Sequence, residues 1–211
     1  SNTSIMCKKI VFAVLIVLTF MSNQPIYSQD FSDVSSLNLR ELTDPQIDLL
    51  LRRAGAQGYN EFDILKIASV SSDEWSLIER SAENNIPKLI STGGKSLDSI
   101  DKIVSFFSHK KQNFALMHCI SIYPSPNETL QLNVISDLIK RYPDVKIGWS
   151  THEDPDNYLP STIAKSLGAT IFEKHIGIKT KKYNLNNYST NPSQFISYLE
   201  NLEKVKNSLG F

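Results

Sequence analysis

Cysteine is scarce in this 211-residue chain, where only Cys7 and Cys119 occur. Two cysteines cannot build the disulfide framework of a small secreted domain. Cys119 follows an apolar run, where a small core residue is a more ordinary interpretation than a nucleophile. An excess of charge is also lacking, because lysine plus arginine and aspartate plus glutamate number 22 each. That balance gives no support for bulk binding to nucleic acid.

Two glycine-rich fingerprints are missing as well. Neither GxGxxG nor GxxxxGK followed by serine or threonine occurs, so nucleotide binding of those two kinds is unsupported. The composition that remains is ordinary, with 41% apolar and 21% charged residues. Such a chain is typical of a globular protein of one or two domains.

Residues 1–29 have the pattern of a secretory signal peptide. Lys8 and Lys9 precede the apolar run 10–21, and a polar stretch follows that ends near Ser28. A positive segment, a short apolar segment and a small residue near the exit are typical of such leaders. The apolar run is short for a membrane span, and an amino-terminal anchor is the alternative interpretation. The leader predicts export to the periplasm or the outer membrane.

Residues 30–60 are predicted to be a linker and an amphipathic helix with Pro45 in its first turn. The stretch LTDPQIDLLLRRAGAQGYNEFDILKIA, together with the leader, resembles the amino terminus of outer-membrane polysaccharide export proteins of the Wza type. This resemblance is short and conflicts with the character of the rest of the chain. Residues 61–211 are predicted to form a separate domain, a partial barrel that ends in a helix.

Strand-like and helix-like runs alternate through residues 61–211. The predicted strands are residues 64–68, 88–91, 114–118, 145–149 and 170–174. The predicted helices are residues 73–84, 96–108, 130–141, 161–167 and 192–209. Repeated βα units of this kind imply a parallel sheet with right-handed crossovers. Five units fit part of a (β/α)8 TIM barrel, which needs about 250 residues, and a doubly wound open sheet is the alternative.

Polar side chains cluster where the predicted strands end. They are Lys66, Ser69, Ser91, His118, Ser121, Tyr123, Ser150, His152, Glu173, Lys174 and His175. Because the carboxyl ends of parallel strands meet on one face, a lysine ringed by serines there suits a small phosphorylated ligand. Two imidazoles, from His152 and His175, could share one divalent metal. The alternative is that the serines are turn residues or helix caps and the histidines are unrelated loop residues.

Five collinear motifs carry a more specific resemblance. They are FDILKIAS, KLISTGGKSLDSI, LMHCISIYPSP, IGWSTHE and GATIFEKHIGI. In order and spacing they are similar to motifs of the N-acetylneuraminate synthase family, which includes bacterial sialic, legionaminic and pseudaminic acid synthases. The resemblance covers roughly residues 62–205. It implies a cytoplasmic TIM-barrel enzyme of sialic acid or surface polysaccharide biosynthesis. Such an enzyme condenses phosphoenolpyruvate with an N-acetylated amino sugar such as N-acetylmannosamine and releases phosphate.

The resemblance also implies roles for individual residues. It assigns phosphoenolpyruvate binding to Lys66, Ser69, Ser91 and Ser150 and places Tyr123 beside the sugar. Ser121 and Lys174, which are polar residues at the same strand ends, are predicted to bind substrate as well. The resemblance makes His152 and His175 the ligands of a manganese or magnesium ion, and these two with Lys66 the catalytic residues. His118 is not a metal ligand in the family's pattern. A homodimer is a reasonable expectation from the family.

Several positions depart from the family's pattern. Thr151 stands where an aspartate is usual, Ser71 where an acidic residue is usual, and Ser121 where an asparagine is usual. Residues 184–187 replace a Gly-Pro-Asp-His motif. The residues assigned to phosphoenolpyruvate and metal therefore match the family's pattern better than those assigned to the sugar. This difference predicts a truncated or divergent synthase.

Two other functions stay open on the sequence alone. One is a non-catalytic, exported protein related to polysaccharide export that retains a barrel remnant. A third interpretation is an aldolase-like or other phosphate-binding TIM-barrel enzyme. Counterparts of the family's first barrel strands and of its antifreeze-like domain are not recognisable in the sequence. The junction with the export-like segment is predicted near EFDILKIA.

Overall fold

The structure is a computed structural model that describes residues 64–177, 179 and 184–210, together with the backbone of one strand nearer the amino terminus. The strands are β1 (Val14–Thr19), β2 (Leu65–Ile67), β3 (Lys88–Ser91), β4 (Phe114–His118), β5 (Lys146–Thr151) and β6 (Ile171–Ile176). The helices are α1 (Trp75–Ser81), α2 (Leu97–His109), α3 (Asn133–Arg141), α4 (Leu159–Ser166) and α5 (Pro192–Ser208). Apart from β1, the predicted leader lies outside the described residues, as does the helix predicted after Pro45.

Five of the six strands, β2 to β6, lie in the sheet in the order of the chain. Strands β2 to β6 are parallel and each pairs with the next, while β1 pairs antiparallel with β6 at the edge. A doubly wound sheet reverses its direction at a switch point, whereas a barrel adds its strands in sequence. The observed order therefore favours the barrel over the open sheet.

A contact across the sheet shows that it is strongly curled. Strands β2 and β6 are separated by three other strands, and in a flat sheet they would lie roughly 19 Å apart. Nevertheless Lys66 Nζ on β2 lies 2.5 Å from Glu173 Oε2 on β6. The two side chains can meet only if the sheet bends around a shared interior. The described part of the chain is thus an incomplete TIM-type barrel, as predicted.

The two faces of the sheet have different roles. On the outer face, strand residues such as Ile90, Trp149 and Phe172 pack with residues of the helices, including Phe107 and Tyr198, in the main hydrophobic core. Each large apolar side chain buried there contributes about 1.5–3 kcal/mol. A second, smaller cluster on the inner face contains Leu89, Ala115, Met117 and Ile171. The remaining inner-face positions near the strand ends are polar.

Gly148 is required where β5 passes between β4 and β6. A Cβ atom at this position would lie 2.5 Å from Met117 Sδ and 2.6 Å from the carbonyl oxygen of Ile171. Real Cβ contacts are not this short, so the inner face is closed to any side chain here.

Two of the five helices in the described ranges begin at a side-chain cap. The Ser96 hydroxyl accepts a hydrogen bond from the Ser99 amide at the start of α2. Asn191 and Gln194 form a capping box at the start of α5, with Pro192 in its first turn. No helix in the described ranges is long and apolar enough to cross a membrane.

Candidate active site at the carboxyl ends of the strands

A lysine bridged to two other strands forms the centre of the candidate site. Lys66 Nζ donates hydrogen bonds to Ser91 Oγ at 2.8 Å and to Glu173 Oε2 at 2.5 Å. The side chain of Lys66 is 15% exposed and that of Glu173 is 5% exposed. The ammonium group is therefore held firmly and is still open to the interior of the barrel.

Three serines predicted to bind substrate are buried near this lysine's end of the sheet. Ser91 ends β3, Ser69 begins a short 3-10 helix after β2, and Ser150 lies on β5. Ser150 is the register partner of Glu173, so these two residues lie side by side on the inner face. An ammonium group with neighbouring hydroxyls suits the oxygens of a small anion such as a phosphate ester.

Ser121 and Tyr123 lie at the rim of the site. A Cβ atom built on Gly93 would approach Ser121 Oγ to 2.7 Å, which places Ser121 directly over the turn that follows β3. The Tyr123 phenol is hydrogen-bonded to the Ser121 side chain, and burial raises the pKa of this phenol. Its ring centroid lies 4.4 Å from that of His152. The structure thus brings both residues to the same end as Lys66 and the histidines.

The two predicted metal ligands are neighbours. The ring centroids of His152 and His175 are 5.1 Å apart. Burial lowers the pKa of His152 to about 3, with smaller contributions from the nearby His175 and Lys66 charges. Burial also lowers the pKa of His175. Both imidazoles are therefore neutral near pH 7, which is the form that binds metals.

The free nitrogens of these rings test whether a metal would fit. The Nδ1 atoms of His152 and His175 are buried and lack a hydrogen-bond partner among the described residues. Two neutral imidazoles with unpartnered nitrogens suit a shared divalent ion whose other positions are filled by water or substrate. In the described ranges, no group of three or more His, Cys, Asp or Glu residues could hold a metal ion. The fit is therefore to a two-histidine site.

Tyr188 is a neighbour of the histidines that the sequence did not single out. Its ring centroid lies 5.1 Å from that of His175, 5.8 Å from that of His152 and 5.5 Å from that of Tyr123. Thr190 fixes this segment, because its amide and its hydroxyl both donate to the His175 carbonyl, at 2.9 and 2.8 Å. The four rings form an aromatic wall, defined as Tyr123, His152, His175 and Tyr188.

Lys174 lies apart from the other predicted site residues. It faces the helices on the outer side of β6, and its side chain is 1% exposed. Its Nζ lies 3.3 Å from Glu153 Oε1 and 5.4 Å from the ring centroid of Tyr198. Alternate residues of a strand point to opposite faces, so Glu173 and His175 point inward while Lys174 points outward. This placement does not bring Lys174 to the substrate side, whereas it brings Glu173 there.

Structural roles are sufficient to explain the positions of His118 and Cys119. His118 Nε2 is 3.0 Å from the Leu130 carbonyl oxygen, and its ring packs on Trp149. Cys119 is buried, and this burial raises the pKa of its thiol. A protonated, buried thiol is a poor nucleophile.

A curled sheet of parallel βα units with these groups at its carboxyl end defines part of a TIM-barrel-type domain. The NeuB family model matches residues 58–211, and the chain belongs to the NeuB family. This finding confirms the family predicted from the five motifs.

Individual relatives agree with the family. The chain is 31% identical over 146 residues to human N-acetylneuraminate-9-phosphate synthase, covering 69% of this chain and 40% of the human protein. A Chromobacterium violaceum structure assigned to spore coat polysaccharide biosynthesis matches with a TM-score of 0.72 and 40% identity, over 81% of this chain and 48% of that one. The Leptospira borgpetersenii N-acetylneuraminic acid synthetase, solved with citrate, matches with a TM-score of 0.69 and 27% identity, over 81% and 56%. The chain thus spans less than half the length of the human relative.

Proposed function

We propose that this chain carries the phosphoenolpyruvate- and metal-binding half of an N-acylneuraminate-type synthase. The reaction would condense phosphoenolpyruvate with an N-acetylated amino sugar such as N-acetylmannosamine and release phosphate. The observation that carries the proposal is the meeting of Lys66, Ser91 and Glu173 beside two neutral histidines at one end of the barrel. Membership of the NeuB family and the names of the synthases similar to the chain support it.

Phosphoenolpyruvate would bind at the Lys66 end of the site. The ammonium group of Lys66 supplies positive charge, and the Ser69, Ser91 and Ser150 hydroxyls supply donors for the anion's oxygens. Glu173 orients the ammonium group before the anion arrives. In the reaction, C3 of phosphoenolpyruvate forms a bond to the aldehyde carbon, water adds to the former enol carbon, and phosphate leaves with its bridging oxygen.

A divalent manganese or magnesium ion would be held by His152 and His175. When bound there, it would act as a Lewis acid for the aldehyde oxygen of the amino sugar. The protein's own contribution is to keep both imidazoles neutral and close together by burial. The acceptor would then lie along the aromatic wall, where Tyr123 and Tyr188 offer ring faces and edges to the sugar.

Location and assembly are part of the same proposal. A synthase that uses phosphoenolpyruvate would act in the cytoplasm, whereas the leader at residues 1–29 predicts export. Detection of the intact amino terminus in the cytoplasmic fraction would support the synthase. Cleavage near residue 29 and recovery from the envelope would support the exported alternative. The homodimer expected from the family is testable by sedimentation.

Calorimetric titration of the whole chain with manganese and phosphoenolpyruvate tests the proposal. We expect binding of both ligands, loss of manganese binding in His152→Ala with His175→Ala, and weaker phosphoenolpyruvate binding in Lys66→Met. His109→Ala is the matched control, because His109 is exposed at the end of α2 and should bind as the wild type does. A folded wild-type chain that binds neither ligand would contradict the proposed function.

A further inference from the structure

A buried ion pair lies on the outer face of the sheet, directly behind the two histidines. Lys174 Nζ and Glu153 Oε1 are 3.3 Å apart, and the two side chains are 1% and 0% exposed. Each partner is the immediate neighbour in sequence of one histidine, because Glu153 follows His152 and Lys174 precedes His175. The pair therefore joins the same two chain segments that carry the imidazoles.

Backbone hydrogen bonds attach the His175 segment to the sheet more firmly than the His152 segment. His175 belongs to β6, and its carbonyl accepts two hydrogen bonds from Thr190. The last register pair between β5 and β6 is Thr151 with Lys174, so His152 and Glu153 lie beyond the ladder. The His152 carbonyl accepts a hydrogen bond from the Ser125 amide, which belongs to the loop after β4. Besides the contact between the two imidazole rings, the ion pair is a side-chain link between this segment and β6.

The physical cost of the pair argues that it has a purpose other than stability. Removing two charges from water is expensive, and well-packed neutral residues in place of a buried ion pair often leave a protein equally stable. Here the hydrogen bonding of the pair is incomplete, because Glu153 Oε2 is buried and has no partner within the described residues. A pair that adds little to stability can still fix one geometry.

We propose that Lys174 and Glu153 form a positioning pair that sets the approach of the His152 imidazole to the His175 imidazole. This inference rests on the proposed function, since the approach matters only if the two rings share a metal ion. It also gives a role to Lys174, which the sequence placed among the substrate contacts. Lys174 acts from behind the sheet, through the segment that carries His152.

The test separates positioning from stability by removing both charges together. In Lys174→Met with Glu153→Gln no buried charge is left unpaired, so we expect the urea midpoint of the wild type to be kept. Manganese affinity, measured by calorimetry and by electron paramagnetic resonance, should fall about 10-fold, in the range seen when groups that orient metal ligands are lost. The matched control is Asp101→Asn with Arg141→Met, which removes an exposed ion pair between α2 and α3 and should leave the affinity unchanged.

Two milder variants keep the inference testable if the double variant does not fold. Lys174→Arg retains the ion pair and should retain wild-type manganese affinity. Glu153→Asp retains the charge but shortens the side chain by one methylene. It should weaken manganese binding and cost less stability than the removal of one charge alone. Wild-type affinity in folded Glu153→Asp or in the folded double variant would overturn the positioning role.

A readout without metal distinguishes this inference from the proposed function. If the wild-type chain binds no manganese, the proposed metal site fails whatever the ion pair does. A crystal structure of the double variant then tests the placement of the two imidazole rings without any metal. We expect the separation of the His152 and His175 ring centroids to depart from 5.1 Å. An unchanged separation would overturn the inference.

Discussion

Replacement of Lys66 by methionine should separate the stability of the site from its ligand binding. The change removes the ammonium group at nearly constant volume and leaves Glu173, whose side chain is 5% exposed, without the cation that lies 2.5 Å away. Breaking a buried ion pair by removing one partner costs about 3–5 kcal/mol. We expect about 3 kcal/mol, the lower end, because the side chain of Lys66 is 15% exposed.

A second change should restore the stability but not the binding. In Lys66→Met with Glu173→Gln no charge is left unpaired, so most of the lost free energy of unfolding should return. Phosphoenolpyruvate should bind more weakly in both variants, because a hydrogen bond to a charged group is worth about 1.5–3 kcal/mol, or roughly 10- to 150-fold in affinity. Glu173→Gln alone keeps the ammonium group and removes a negative charge, so it should bind the anion at least as tightly as the wild type.

Urea unfolding followed by tryptophan fluorescence and calorimetric titration with phosphoenolpyruvate measure the two effects. If Lys66→Met were as stable as the wild type, the ion pair would not form in solution, and the reasoning from its geometry would be refuted. If the double variant bound phosphoenolpyruvate with wild-type affinity, Lys66 would not be the residue that receives the anion.

Three further changes test other parts of the structure. Gly148→Ala should destabilise the chain by about 3 kcal/mol in urea unfolding, because the new methyl group meets Met117 Sδ at 2.5 Å and the Ile171 carbonyl at 2.6 Å; an unchanged midpoint would contradict the close packing. The free energy of unfolding should decrease as the pH falls from about 6.5 towards the His152 pKa of about 3, by up to roughly 1.4 kcal/mol per pH unit, because the unfolded state takes up the proton first. His152→Asn should flatten this dependence in pH-dependent unfolding, and a profile identical to that of the wild type would show that His152 is not buried as a neutral ring. Tyr188→Ala should raise the KM for the amino sugar and leave the KM for phosphoenolpyruvate unchanged in steady-state assays, while Tyr188→Phe, which keeps the ring, should resemble the wild type; equal effects on both KM values would place Tyr188 outside the acceptor side.

Strand positions were predictable because short apolar runs bounded by polar residues are strong local signals. The runs 88–91 and 114–118 coincide with β3 and β4. Strands β5 and β6 each continue two residues beyond the predicted end. Ser150 and Thr151 still pair with β6 despite their polar side chains, and His175 and Ile176 pair with β1. Helix α3 begins at Asn133 rather than at residue 130, since a 3-10 helix ends at Thr129 and Gln131 has a left-handed backbone conformation with φ 47°.

The composition of the site was partly predictable for a similar reason. The convergence of parallel strand ends brings Lys66, Ser91 and the two histidines together without knowledge of any distance. The choice between Glu173 and Lys174 was not accessible in this way, because adjacent polar residues in a strand give no sign of which one faces inward. That choice depends on the register with β5 and on the curl that brings Lys66 across the barrel. Tyr188 was missed because it lies in a loop whose approach to His175 is set by Thr190.

The contact between Lys66 and Glu173 also has a consequence for the order of folding. The two residues are 107 positions apart, whereas most of the parallel pairings join consecutive βα units. Closing so long a loop is entropically costly, and the contact forms only once the intervening strands have curled into place. Interactions that form after the transition state affect mainly the rate of unfolding. Loss of this ion pair should therefore increase the unfolding rate and leave the folding rate almost unchanged. The candidate site would then also keep the curled sheet closed once it has folded.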